Sequence, residues 1–401
     1  METSPESTRS IPLPKVAPNP FTPQSGWEPK VFGGRQEILE RFEALLQESL
    51  RLSPQHLVVL GDWGIGKTAL LKQFKKVVQT KGAPASFCAV NRLPEKSTLE
   101  EATLLLAQEI LFGYPMLSDA GVLLSGLQAV SPKKKGSVKR LILQPQLALV
   151  QFLLQLWSNL KTPLAVVLLD DIQNFEATSH IIDLLRAVLS HEDIVQKTRY
   201  LFILATTPEG WRTFLDKHDP VGRFFRKREI LQTLNRQETF SLIDLNLKDT
   251  GVVFEEEVKD KIFDVTRGHP YEIQLLASHL YDAQLEGKVA LSVWEGAFQR
   301  TLRELGEDYF EAILRRASDR EYELLEVLAQ KKRPMSIQDL RQTMIFEKRK
   351  RTFPVDNIKN FLYRLETKGL IRRLQDGDFE LLDPMLGEFI LMERGTPAVK
   401  P

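Results

Sequence analysis

The chain has 401 residues, enough for more than one domain, and its 54 Lys/Arg against 53 Asp/Glu leave a formal net charge of +1. So even a balance excludes whole-chain attraction to nucleic acid or membrane and confines any basic surface to a local patch. The single cysteine, Cys88, rules out an internal disulfide and a cysteine-built metal site, and a reducing cytoplasm is the expected setting.

Residues 1–30 are proline-rich and polar, lack the apolar core of a secretory signal, and are expected to form an extended arm. The most apolar stretch, "QLALVQFLLQLWSNL", is interrupted by Gln146, Gln151 and Gln155, so no membrane span is expected. From residue 31 the pattern is regular. "GGRQEILERFEALLQESLRL" carries Ile38, Leu39, Phe42, Leu45, Leu46 and Leu50 at helical spacing. "HLVVLG" is continuously apolar, as a parallel strand covered on both faces should be, and "KTALLKQFKKVVQ" follows as a helix. "APASFCAV" reads as a second strand, and "STLEEATLLLAQEILFGY" as a helix opened by a Ser97–Glu100 capping box. The apolar runs "PLAVVLLDD", "RYLFILATT" and "KREILQTL" complete the strands, with helices between them. Strand and helix alternation predicts a parallel α/β sheet over residues 31–234.

Residues 235–311 read as consecutive short helices, a lid, beginning at an Asn235–Glu238 capping box. Residues 312–401 change pattern again. The helices "EYELLEVLAQ", "SIQDLRQTM" and "VDNIKNFLYRLETKG" precede two strands around the Asp376-Gly377 turn, the elements of a winged helix and a short tail. "SPKKKGSVKR" at 131–140 reads as an exposed basic loop.

"GDWGIGKT" satisfies G-x-x-x-x-G-K-[ST] at Gly61, Gly66, Lys67 and Thr68, between a buried strand and a helix. In such a loop Gly61, Asp62, Trp63, Gly64, Ile65, Gly66 and Lys67 to Ala69 wrap the phosphates of ATP or ADP, because glycine lets backbone N–H groups approach closely. Lys67 would neutralise β/γ-phosphate charge, and the Thr68 hydroxyl would hold Mg²⁺. "LAVVLLDD" supplies the acids: Asp170 for the metal and Asp171 for the attacking water, with capping of the next helix as the alternative for either. The segment between the two motifs contains another strand and helices, so an extra strand is expected between the phosphate-loop and acidic strands. Thr206 and Thr207 end a strand where a hydroxyl can sense the γ-phosphate through water. Arg223 or Arg226 would serve as a finger toward a neighbouring subunit, unless it is simply solvated.

With these residues assembled, the chain resembles the P-loop ATPases of the AAA+ and STAND groups, particularly the compact archaeal and bacterial ATPases related to origin-recognition proteins. The resemblance runs from about Asn19 to Met392. It implies that the segment from Phe32 to Arg35 lies near the adenine, and that Gly268, His269 and Pro270 close over the nucleotide. Two departures stand out. Asp171 replaces the glutamate common in AAA+ members, and "GHP" stands where processive machines carry a sensor arginine, although Arg267 adjoins it. Both imply a slow switch rather than a motor. A nucleotide-dependent homo-oligomer is a separate expectation, tied to the arginine finger.

Between Lys331 and Arg373 there are 13 Lys/Arg against 4 Asp/Glu. That local excess, with Lys359, Asn360, Tyr363, Arg364, Thr367 and Lys368 expected on the outward face of one helix, suits DNA. "EKRKR" (347–351) and Arg372 with Arg373 in the wing would clamp the phosphate backbone. A STAND-type switch that signals to protein partners without DNA, and a module that binds ATP without hydrolysing it, remain as alternatives.

Overall fold

Four consecutive fully covered residues, Leu57–Leu60, make the strand β1, and they can be apolar throughout because both faces of their sheet are packed. A computed structural model of the protein describes residues 17–23, 30–51, 53–90, 97–114, 144–172, 178–217, 222–346 and 354–395. The 131–140 loop and the "EKRKR" run lie outside these residues, as does most of the first 30. The chain divides into two units, residues 34–233 and residues 1–33 with 234–401.

In the first unit, β1 joins β2 (Ala85–Ala89), β3 (Ala165–Asp170), β4 (Tyr200–Thr206) and β5 (Lys227–Ile230). All pairings are parallel and the order is β2-β3-β4-β1-β5. The extra strand is therefore β4, which separates the phosphate-loop strand from the acidic strand. Among the described residues the helices of this unit are α1 (Gln36–Arg51), α2 (Lys67–Thr80), α3 (Leu99–Phe112), α4 (Pro145–Leu160), α5 (Thr178–Ser190), α6 (Glu192–Lys197) and α7 (Pro208–Lys217). α1 and α2 meet through stacked Phe42 and Phe74 rings, 3.8 Å apart. The capping box of α3 is one residue later than the sequence suggests. Thr98 accepts from the Glu101 N–H, and the Glu101 carboxylate accepts from the Thr98 N–H. Two overlapping hydroxyl-to-glutamate spacings exist here, and the buried face of the helix selects the second.

The second unit is helical. It contains α8 (Arg236–Leu247), α9 (Glu256–Thr266), α10 (Pro270–Asp282) and α11 (Trp294–Leu305). A π-helical stretch, Gly306–Phe310, then leads directly into α12 (Glu311–Leu314). α13 (Asp319–Lys331), α14 (Ile337–Phe346) and α15 (Val355–Thr367) follow, then β8 (Ile371–Arg373), β9 (Phe379–Leu381) and α16 (Pro384–Gly395). The Asn235–Glu238 box opens α8 as read from the sequence. A two-residue parallel pair, β6 (Val253–Phe254) with β7 (Lys288–Val289), interrupts the segment expected to be wholly helical. β8 and β9 form an antiparallel ribbon, and Met335 bridges to Phe379 as a third short partner.

Residues 235–311 and 312–401, expected as a lid and a separate module, share one hydrophobic core that runs from Leu242 to Ile390. The physical reason is the uninterrupted helical path through residues 294–314: the expected boundary at 311 falls inside it. Gly306 is part of this junction, since a Cβ there would lie 2.3 Å from the Phe389 ring. The N-terminal stretch is also anchored. Asn19 Nδ2 donates to the Ser278 carbonyl at 3.0 Å and to Asp282 Oδ1 at 2.8 Å, and Phe21 packs against Phe254 and Tyr281. Residues 17–23 thus dock on α10, although they lack regular structure.

Candidate nucleotide site

The site forms where β1, β3 and β4 end together, the edge at which open α/β sheets bind ligands. β1 runs into Gly61, whose N–H donates to the Thr206 carbonyl at 3.2 Å, so loop and β4 are tied at their ends. A Cβ on Gly61 would lie 2.6 Å from the Ile65 side chain. Gly64 and Gly66 adopt left-handed φ values of 71° and 95°, which turn the chain tightly before α2 begins at Lys67. Asp62 and Trp63 at the loop tip are exposed, while Ile65 is buried beneath it.

Lys67 is buried, and its Nζ donates to the Gly61 carbonyl at 2.9 Å and the Asp62 carbonyl at 2.8 Å. Burial lowers its pKa, against the pull of Asp171, Asp170 and Asp62. The next residue of the helix, Thr68, donates its hydroxyl hydrogen to Asp170 Oδ2 at 2.6 Å. Asp170, the last residue of β3, is only 4% exposed, and its other oxygen has no aligned hydrogen-bond partner among the described residues. Burial, reinforced by the neighbouring Asp171, pushes its carboxyl up to about 6, with the Thr68 bond and Lys67 opposing. Asp171 is partly buried in the left-handed region, φ 57°, where an aspartate is tolerated but uncommon.

Thr206 is fully buried at the end of β4, and its hydroxyl too has no partner among the described residues. Thr207 is different. Its hydroxyl accepts from the Gly210 N–H at 3.0 Å, so it caps α7, whose first residue is Pro208. The Thr-Pro-Glu order is itself a capping signal legible in the sequence. Arg223 and Arg226 are both exposed just before β5.

Arg35 carries its own surprise. Its Nη2 donates to the Ile65 carbonyl at 2.8 Å and the Gln232 carbonyl at 2.9 Å. Phe32 and Pro270, grouped with Arg35 by the resemblance, belong to the other unit; Pro270 opens α10. There Gly268 sits at φ 80°, and a Cβ would meet the Leu234 carbonyl oxygen at 1.8 Å, so only glycine fits.

The five cations assigned to DNA are distributed unevenly. Lys359 lies 3.7 Å from Asp356 and remains well exposed. Arg373 sits over the Phe379 ring. Arg372 pairs with Glu380 across the ribbon at 2.6 Å. Arg364 and Lys368, expected to point outward, are both exposed, and both also pair with Glu321 on α13, at 3.1 and 2.8 Å. A buried carboxylate is costly to leave unpaired, and here it holds the charged ends of two exposed residues.

Comparison with known proteins follows the same lines. Residues 31–94, from the entry segment past β2, match the family model described as bacterial TniB protein. No curated protein sequence matches the chain. Among solved structures, a Walker-type ATPase of Pyrococcus abyssi is similar over 91% of this chain and 97% of its own, with 17% identity and a TM-score of 0.60. The ORC2 protein of Aeropyrum pernix, solved as ADPNP-ADP complexes, is similar over 93% of this chain and 98% of its own, at 17% identity and a TM-score of 0.59. Its ADP form gives 16% identity and a TM-score of 0.56. At these identities the likeness defines the fold alone: an α/β core of the P-loop type with a helical C-terminal region. Among the described residues no helix is long and apolar enough to cross a membrane.

Proposed function

We propose that the protein is an ATP-binding, Mg²⁺-dependent ATPase that hydrolyses slowly and works as a nucleotide switch. The observation that carries this reading is the 2.6 Å bond from Thr68 to the buried Asp170, beside a buried lysine and a left-handed glycine loop. The first N–H groups of α2 and those of the loop suit phosphate oxygens. Lys67 exchanges the Gly61 and Asp62 carbonyls for β/γ-phosphate oxygens. A hydroxyl and a buried acid with an unmatched oxygen fit Mg²⁺: Thr68 and Asp170 would hold it, and there it would offset the phosphate charge. Asp171 orients the attacking water, and its side chain, one methylene shorter than glutamate, supports slow turnover. Thr206 contacts the γ-phosphate through water, and exposed Arg223 reaches a neighbouring subunit. Phosphate release measured with and without Mg²⁺, over a range of protein concentrations, tests the reading. No Mg²⁺-dependent release would leave at most a binding module, and a rate per subunit independent of concentration would remove Arg223 from catalysis.

Residues 312–401 are read as a winged helix that contacts DNA under nucleotide control. Its charge excess supports this, as does the exposed face of α15 bearing Lys359 and Tyr363, the latter 70% exposed. The second reading, signalling to protein partners, is favoured by the internal pairing of Arg364, Lys368 and Arg372. Duplex binding titrated against salt in ATP, ADP and no nucleotide separates them. Salt-sensitive, nucleotide-sensitive binding supports the first, and no binding in any state selects the second.

A further inference from the structure

We infer that Arg35 is a positioning residue that sets the phosphate-binding geometry of the loop, acting through its backbone and not through the base of the nucleotide. The inference rests on the ATP-binding reading above. Its physical basis is the rigidity of one peptide. The Ile65 carbonyl and the Gly66 N–H belong to the same peptide unit, and no cis bond occurs among the described residues, so the two groups point in opposite directions. By accepting from Arg35 Nη2 at 2.8 Å, the Ile65 carbonyl is held on the outer side of the loop. The Gly66 N–H is thereby turned to the inner side, at the start of α2.

Three further observations place Arg35 for this role. The same nitrogen spends its second hydrogen on the Gln232 carbonyl at 2.9 Å, just beyond β5, so the arginine is anchored to the sheet and not only to the loop it holds. Leu231 next to it is bonded to β1, its N–H donating to the Leu60 carbonyl at 2.7 Å, so the Gln232 carbonyl is tied to the strand that leads into the loop. Lastly, Arg35 is the residue from which α1 starts: its carbonyl accepts from the N–H of Ile38 at 3.0 Å and of Leu39 at 3.2 Å. Its own backbone is left-handed, φ 62°, a conformation that non-glycine residues adopt rarely and that directs this side chain to the loop.

The test uses the full chain, wild type and the variants Arg35→Gly and Arg35→Lys, with MgATP and inorganic tripolyphosphate titrated separately by calorimetry. Glycine adopts the left-handed backbone at position 35 without strain, so Arg35→Gly removes the side chain while favouring the fold; lysine keeps a donor for the two carbonyls. Arg35→Gly is expected to weaken ATP and tripolyphosphate by the same factor, about tenfold or more, with most of the affinity kept by Arg35→Lys. The Gly66 amide resonance in ¹⁵N-glycine-labelled protein should move in Arg35→Gly and return toward wild type in Arg35→Lys, which a general loss of stability does not produce. Weakened ATP with unchanged tripolyphosphate would mean that Arg35 touches the nucleoside, and unchanged affinity for both would mean that it does not serve the site; either overturns the inference. Failure of the wild type to bind ATP at all would sink the ATP-binding reading itself.

Discussion

Lys368 Nζ lies 2.8 Å from Glu321 Oε2, joining the end of α15 to a carboxylate whose side chain is only 2% exposed. Glu321 also accepts from the Ser318 N–H at 2.7 Å, closing the capping box of α13, and Arg364 faces its other oxygen. Burial alone pushes the Glu321 carboxyl up; the bonds from Lys368 and Ser318 together outweigh it and hold the carboxyl below its usual range. Since a depressed carboxylate stabilises above the unfolded pKa, this support is present at neutral pH and lost on acidification. Replacing Arg364 and Lys368 by alanine should therefore cost about 2 kcal/mol at pH 7, because it strands a buried charge. Adding Glu321→Gln to the double variant should recover part of that loss, and urea titration of the three proteins measures it. An unchanged midpoint in the double variant would show that the pairing carries no stability.

Lys67→Ala should weaken ATP about a hundredfold, since it removes the one buried cation of the phosphate loop. Asp170→Asn keeps the shape and the acceptor for the Thr68 hydroxyl but removes the metal-facing charge. Turnover should fall with ATP affinity largely retained in the absence of Mg²⁺. Calorimetry with and without Mg²⁺, set beside phosphate release, separates the two effects; full turnover by Asp170→Asn would place the metal elsewhere.

Thr206→Val replaces a buried hydroxyl that has no partner among the described residues by a group of nearly the same shape. Removing an unsatisfied polar atom should leave stability unchanged within about 1 kcal/mol or raise it. Turnover should drop about tenfold if the hydroxyl serves the γ-phosphate. Equal turnover in the two proteins would make Thr206 a strand-end residue and nothing more.

Glu272, in the first turn of α10, supplies the pH prediction. It is 2% exposed; burial first, and Asp383 second, push its carboxyl well above the usual range. His269 Nδ1 lies 3.7 Å from its Oε1, while Asp383 is committed to the α16 start, accepting from the Met385 N–H at 2.7 Å. A carboxyl raised in the folded state binds more protons there than in the unfolded chain, so its contribution to stability declines as pH rises above the unfolded value of about 4.3. Glu272→Gln should abolish that decline, leaving the variant increasingly more stable than wild type from pH 5 to pH 8. Thermal unfolding across this range checks the sign, and parallel curves would mean that Glu272 ionises in a compensated setting.

The placement of the glycine loop and of Asp170 could be read from the chain because strand, glycine spacing and acid are local patterns. The Asn235–Glu238 box was legible for the same reason. The α3 box was ambiguous, since Ser97 and Thr98 each stand three residues before a glutamate. β6 and β7 have two residues each, too few to show alternation. The pairing of Arg364 and Lys368 with Glu321 was hidden because periodicity places a residue on a face of its helix but is silent about a carboxylate more than 40 positions away in sequence. Arg35 escaped for a related reason: its partners are main-chain carbonyls, which every residue possesses.

β4 carries neither the phosphate-loop motif nor the acidic pair, yet it acts as the gauge between them. It pairs Thr206 with Leu60 of β1 on one side and Leu204 with Leu169 of β3 on the other. Two strand spacings of about 4.8 Å thus set how far the Thr68 hydroxyl must reach to meet Asp170. Apolar residues inside β4 can be exchanged for others of similar size, but its length has no such freedom. Insertion or deletion of one residue would turn Thr206 to the opposite face of the sheet and break its carbonyl's bond to Gly61. An indel in this strand should therefore disable the site with every residue of both motifs still in place.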